Sequence, residues 1–192
     1  VLWHTGIRIG AAHGLDVEDY DSRDALLELR HRPDKGTSLK NKEVGERFVA
    51  INDAVCDVLD GYIEYNREEV TDEHGREPLL TTSNGRLQKS TIRQYVYAWS
   101  RPCTIGKECP VGEDPETCPA AQTNNAAYDC PESVSPHPVR RGYITHFRAN
   151  GVPTADVISD RCDASPDVIE LWYDMCKKSE RREARRSYVE GL

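Results

Sequence analysis

Ser135-Pro136-His137-Pro138-Val139-Arg140 is the stretch whose reading decides the rest. A serine followed by prolines in the first turn starts a helix: the hydroxyl accepts from free backbone N–H groups, and proline has no N–H to leave unpaired. The helix runs on to a stop at Asn150-Gly151. His137 and Arg140 stand at i and i+3 on one face of its N-terminus, where unpaired N–H groups and the helix dipole favour an anion. A histidine and an arginine there make a phosphate site. A capping histidine beside a solvated arginine is the plainer alternative.

Upstream, Thr5-Gly6-Ile7-Arg8 places another arginine after a glycine turn and before a short helical stretch that stops near Gly14. Val17 to Asp21 and Ala25 to Arg32 read as two strands, with Leu26, Leu27 and Leu29 supplying apolar surface. Residues 34–46 form a polar hairpin loop holding Lys35, Lys40 and Lys42, and Arg47 to Ile51 is the returning strand. A helix capped at Asn52 or Asp53 carries Val55, Val58, Leu59, Tyr62 and Ile63 at helical spacing. Residues 68–87 are a polar connection, and a helix capped by Ser90 carries Ile92, Val96 and Trp99. Downstream of Arg140, a short and a long helix follow Pro153 and Pro166; Ser165 caps the second, which carries Tyr173. The expected fold class is α+β, one mainly helical domain over residues 1–192 with a small three-stranded antiparallel sheet.

A chain of 192 residues suits one well-buried domain. It opens on Val1-Leu2-Trp3, which reads as the inside of a helix, so a missing N-terminal region is expected before it. No apolar run approaches the roughly 18 residues of a membrane span, and a soluble, cytoplasmic protein is expected. The net charge of -8 opposes a nucleic-acid partner at first sight, because phosphate binding needs cations. The charge is uneven, however: Lys177 to Arg186 holds six basic and two acidic side chains. Arginine outnumbers lysine 18 to 7, and with so many carboxylates the surface resembles those adapted to high salt.

Four of the seven cysteines lie in residues 101–136, a polar, proline-punctuated insertion of loop composition. Cys103, Cys109, Cys118 and Cys130 are separated by five, eight and eleven residues. Four thiolates suit a structural Zn²⁺, which orders a segment too poor in apolar surface to fold otherwise. Reduced thiols and disulfides remain the alternatives. Cys56, Cys162 and Cys176 fall in helical segments and read as core residues.

Taken in order, these pieces resemble the catalytic domain of the tyrosine recombinases of the phage-integrase family. The likeness runs over almost the whole chain: TGxR (Thr5 to Arg8), Leu15-Asp16-Val17-Glu18-Asp19, a three-stranded sheet with a lysine-bearing turn, HxxR (His137 to Arg140), and a tyrosine about thirty residues on. Leu39-Lys40-Asn41-Lys42, Ser135 to Pro138 and Ile158-Ser159-Asp160-Arg161 resemble integrases of salt-loving archaea in particular.

The resemblance implies DNA breaking and rejoining with no cofactor for catalysis. Tyr173 is the implied nucleophile, leaving a 3′-phosphotyrosine and a free 5′-hydroxyl. Arg8 and Arg140 are implied to clamp the non-bridging oxygens, His137 to assist with the tyrosine proton, and Lys40, or Lys42 nearby, to protonate the leaving oxygen. Double-stranded DNA and a homotetramer assembled on it are the implied partners, with no membrane. The charged tail after Lys177 is expected to dock on a neighbouring protomer, having little to bury against its own domain.

Two departures stand out. The acidic residue that the family places three positions after the first arginine is Ala11 here. The stretch before the tyrosine, Arg161 to Ser165, lacks the family's histidine and holds Asp163, which repels phosphate when ionised; Arg161, Arg141 or a partner subunit are the alternative donors. A degenerate DNA-binding module and a type IB topoisomerase-like relaxing enzyme are the other readings.

Overall fold

The computed structural model describes the backbone of residues 1–173, 175 and 177–189, and their side chains except those at 156, 172, 173, 185 and 187–189. The first turn, α1 (Leu2–Thr5), is closed by Gly6 in the left-handed conformation at φ 64°, whose N–H returns to the Leu2 carbonyl. Extended Arg8 then leads into α2 (Ile9–Gly14). A three-stranded antiparallel sheet follows, ordered β1 (Tyr20–Asp21), β2 (Leu26–Leu29), β3 (Arg47–Ala50). Its register sets Tyr20 against Leu27 and Leu27 against Val49. Leu27, Leu29 and Val49 point inward and are buried, whereas Phe48 alternates outward.

The strands are shorter than the sequence suggested. Val17–Asp19 is a 3₁₀ turn because Asp16 and Asp19 cap it reciprocally, Asp19 Oδ2 accepting from the Asp16 N–H at 2.9 Å. Beyond the end of β2 the side chains of Arg30 and Arg32 reach Glu18 and Asp19, and pairing resumes only at the isolated bridge between Arg32 and Thr37.

Next comes α3 (Asp53–Tyr65), which begins as expected at Asn52, whose side chain accepts from the Val55 N–H at 3.0 Å. Val55, Cys56 and Leu59 cover the sheet together with Ile7, Leu15 and Leu79, forming the first core, while Val58 faces solvent. The connection at 68–87 proves structured, with a small hairpin of β4 (Thr81–Thr82) and β5 (Gly85–Arg86). It is pinned by charge: buried Asp16 accepts from Arg76 Nε at 2.7 Å and from Arg86 Nη2 at 2.6 Å, and Arg86 also reaches Asp72 at 2.7 Å. Burial works to raise the Asp72 carboxyl, but hydrogen bonds from Arg86 and from the Arg76 and His74 N–H groups outweigh it and bring it down to about 2.

The second half is helical: α4 (Lys89–Ser100), α5 (Pro119–Gln122), α6 (Pro136–Ala149), a π-helical turn Thr154–Ile158, α7 (Ser159–Cys162), α8 (Pro166–Val168), a second π-helical turn Ile169–Tyr173, and α9 (Lys178–Val189). Tyr143, Ile144, Ile158, Cys162 and Ile169 make the second core. Residues 101–136 contribute to neither core, and the side chains buried there are Arg101, Ala120 and Ala127.

α9 packs against α6 of its own chain, and Ala184 is half-buried. The close approach depends on Gly151, at φ 78°, where an added Cβ would stand 3.1 Å from the Ala184 carbonyl oxygen. Among the described residues no helix is long and apolar enough to cross a membrane.

Candidate active site

Two segments far apart in sequence interlock at Gly6. The Arg140 guanidinium, 3 % exposed, donates from Nη1 to the Gly6 carbonyl at 2.6 Å. A Cβ on Gly6 would overlap the Tyr143 ring, and that ring stacks on Phe147 at 4.3 Å between centroids. The glycine of TGxR is therefore required both by its positive φ and by the helix that carries HxxR.

Arg8 emerges from this junction and meets Asp163, Nη1 to Oδ2 at 2.5 Å. The other carboxylate oxygen accepts from Asn41 Nδ2 at 2.7 Å. Asp163 sits in the left-handed region at φ 53°, ending α7, a conformation that aspartate tolerates better than most residues. One carboxylate thus joins the first arginine, the lysine loop and the end of α7. Ala11, at the position of the missing acidic residue, is packed in the first core; Asp163 supplies a carboxylate to Arg8 from a different element.

Beside this pair lies a cavity of about 280 Å³ lined by Arg8, Ser38, Lys40, Arg47, Lys89 and Asp163, among others. Lys40 lines it and Lys42 does not. Burial pushes the His137 imidazole below its ordinary value, and the positive charges of Arg141, Arg140, Lys40 and Arg8 push it the same way. Arg8, Lys40, His137 and Arg140 are thus near enough to share one electrostatic field, with His137 held neutral at pH 7. Such a cluster can bind a phosphodiester, neutralise charge developing on it and exchange protons at its oxygens.

Arg161, one of the suggested donors, has structural partners: it donates to the Tyr143 hydroxyl and to the Ala50 and His4 carbonyls. Arg141 Nε is buried with no hydrogen-bond partner among the described residues. Tyr173 ends the π-helical turn that packs on α6, and its side chain lies outside the described residues. The Cys162 thiol is raised by burial, which suits a core residue rather than a nucleophile. Sequence reasoning missed both the Asp163 contact and the part of Arg47, which opens β3 inside the cluster. Arg47 has one signal in the sequence, a charged residue opening the otherwise apolar strand β3, whereas Asp163 follows the polar α7 and has none.

Cys103, Cys109, Cys118 and Cys130 line one cavity of about 20 Å³ as free thiols. Among the described residues no group of three or more His, Cys, Asp or Glu is already arranged to hold a metal ion. Cys56 is buried in the first core and Cys162 in the second; Cys176 lies outside the described residues.

No protein-family model matches the chain, and no curated protein matches it. Solved structures do. A XerA recombinase superposes with a TM-score of 0.65 at 18 % identity, over 98 % of this chain and 55 % of that one. The fold is that of the tyrosine recombinases. A Tn1549 transposon integrase variant bound to transposon right-end DNA gives 0.65 at 16 % identity, over 98 % of this chain and 56 % of that one. A variant of the same integrase, bound to a circular intermediate DNA, gives 0.66 at 17 % identity, over 100 % and 56 %. The chain spans little more than half the length of these recombinase structures.

Proposed function

We propose that this chain is the catalytic domain of a site-specific DNA recombinase of the integrase type. The observation that carries the reading is the gathering of Arg8, Lys40, His137 and Arg140, from three separate segments, around one cationic site in a net acidic chain. In the proposed reaction the Tyr173 oxygen attacks the scissile phosphorus as the bond to the 5′-oxygen breaks. His137, neutral at pH 7, takes the tyrosine proton, and Lys40 gives a proton to the departing 5′-oxygen. Arg8 and Arg140 balance the charge that builds on the non-bridging oxygens. The phosphotyrosine keeps the phosphodiester energy, so attack by another strand's 5′-hydroxyl reverses the steps and reseals DNA without ATP. Double-stranded DNA is the substrate, and a tetramer formed on it is the working assembly.

The test is incubation with a nicked DNA site that loses its 5′-hydroxyl fragment on cleavage. A covalent protein–DNA adduct on a denaturing gel is expected from the wild type and none from Tyr173→Phe. Binding without any adduct would instead identify a DNA-binding module that has lost its chemistry.

A structural Zn²⁺ within the cysteine segment belongs to the same reading. Two observations support it. The four cysteines are among the residues lining one cavity of about 20 Å³, and residues 101–136 put no side chain into either core. A segment of that length needs some other source of stability, and a cation drawing the thiolates together supplies one. About one zinc per chain is expected in protein purified without chelator, and all four thiols freely titratable in metal-free native protein would exclude it.

A further inference from the structure

Arg47 opens β3 immediately after the lysine loop. Its Nη1 donates to the Gly45 carbonyl at 2.6 Å and its Nε to the Arg161 carbonyl at 3.2 Å. These two bonds fix the plane of the guanidinium, and Nη2 has no hydrogen-bond partner among the described residues. The side chain lines the cavity shared by Arg8, Lys40, Lys89 and Asp163. Among the described residues four cations and one carboxylate line that cavity, so its walls carry more positive charge than they neutralise.

Burial drives the Arg47 guanidinium below its ordinary value; Asp163 and Cys162 work against this, while Arg140 and Arg8 add to it. A half-buried cation among like charges, with one donor uncommitted, is costly unless an anion completes the site.

We propose that Arg47 is a further phosphate-binding residue of this centre, donating from Nη2 to a non-bridging oxygen of the phosphate that Arg8 engages. The proposal rests on reading the site as a phosphoryl-transfer centre. It gives the cluster a donor that lines the cavity itself, whereas Arg161 is absent from that lining and is held through Nε and Nη2 by Tyr143, Ala50 and His4. Arginine suits the position because two of its donors can hold the protein while a third faces the ligand in a fixed fork.

The experiment has two arms. In the first, inorganic phosphate is titrated calorimetrically into wild type, Arg47→Gln, Arg47→Lys and Glu43→Gln. Loss of a charge-assisted hydrogen bond is expected to weaken phosphate binding by about tenfold or more in Arg47→Gln, with Glu43→Gln unchanged. Equal affinity in wild type and Arg47→Gln overturns the proposal. Should Arg47→Gln fail to fold, Arg47→Lys decides the matter, because it keeps stem and charge but loses the fork; equal affinity there overturns it too.

The second arm measures adduct formation on a nicked site whose scissile phosphate is either natural or a neutral methylphosphonate. A group that balances phosphate charge is needed less on the neutral substrate, so the defect of Arg47→Gln relative to wild type should shrink there, whereas a merely structural defect stays the same size. No adduct from wild type, with phosphate binding still dependent on Arg47, would remove the recombinase reading and leave the anion site. An adduct from wild type with an Arg47→Gln variant that binds and cleaves equally well would do the reverse.

Discussion

The Asp163 carboxylate lies 2.5 Å from Arg8 Nη1, although 155 positions separate the two residues. The same carboxylate holds Asn41 beside Lys40. A residue whose charge repels phosphate therefore also orients an arginine proposed to bind it.

That dual effect gives a split outcome. Asp163→Asn keeps the shape and removes the charge, so the cationic cavity should bind DNA at least as tightly as wild type. Cleavage should slow by about tenfold to a hundredfold, because a misaligned Arg8 no longer meets the phosphate squarely. Affinity and single-turnover rate on one nicked site measure both. A variant that binds tighter and cleaves faster would mean that Asp163 merely opposes the substrate.

Gly6→Ala should be severely destabilising. The left-handed backbone costs a β-carbon about 1 kcal/mol or more, and overlap with Tyr143 adds about 1–3 kcal/mol of overpacking. Denaturant unfolding of Gly6→Ala, Tyr143→Ala and the double variant checks the source. If the ring causes the clash, the double variant should lose less than the two single losses added together.

Lys40 and Lys42 can be separated chemically. A leaving sulfur in place of the 5′-oxygen needs no proton, so Lys40→Ala should be slow on natural DNA and largely restored on that substrate. Lys42→Ala should cleave both at nearly the wild-type rate. Restoration of Lys42→Ala instead would move the acid to that position.

Stability should fall in mild acid. His137 and His13 are both held below their ordinary value, chiefly by burial and then, against a backbone hydrogen bond to Leu87 in the case of His13, by neighbouring Lys and Arg charges. The unfolded chain therefore binds more protons than the folded one below about pH 6.5. The stabilising contribution is complete above that pH and is lost as pH falls through the lowered folded values. Denaturation midpoints at pH 8 and pH 5.5 should differ less in His137→Gln than in wild type, with His13 accounting for part of the remainder.

The sequence by itself determined the order and kind of the main elements. Hydrophobic spacing placed the α3 helix after Asn52 and the α6 helix from Pro136 to Asn150-Gly151, because capping, proline and 3.6-residue periodicity are local properties of the chain. The ordered set of motifs likewise pointed to the recombinase fold that the solved structures share. The short strands, the hairpin at 81–86 and the cis packing of α9 were not legible, because each depends on a distant partner: Asp19 for Asp16, the Asp16–Arg76–Arg86 cluster for the hairpin, Gly151 for Ala184.

The site divides in the same way. Arg8, Lys40, His137, Arg140 and Tyr173 could be named from spacing and resemblance, but no spacing says which carboxylate faces which guanidinium. Tertiary structure alone decided that Asp163 holds Arg8, that Arg161 serves the backbone, and that Arg47 faces the cavity. An ion pair is favoured by proximity and burial, and both are set by how the two cores bring residues 8, 47 and 163 together.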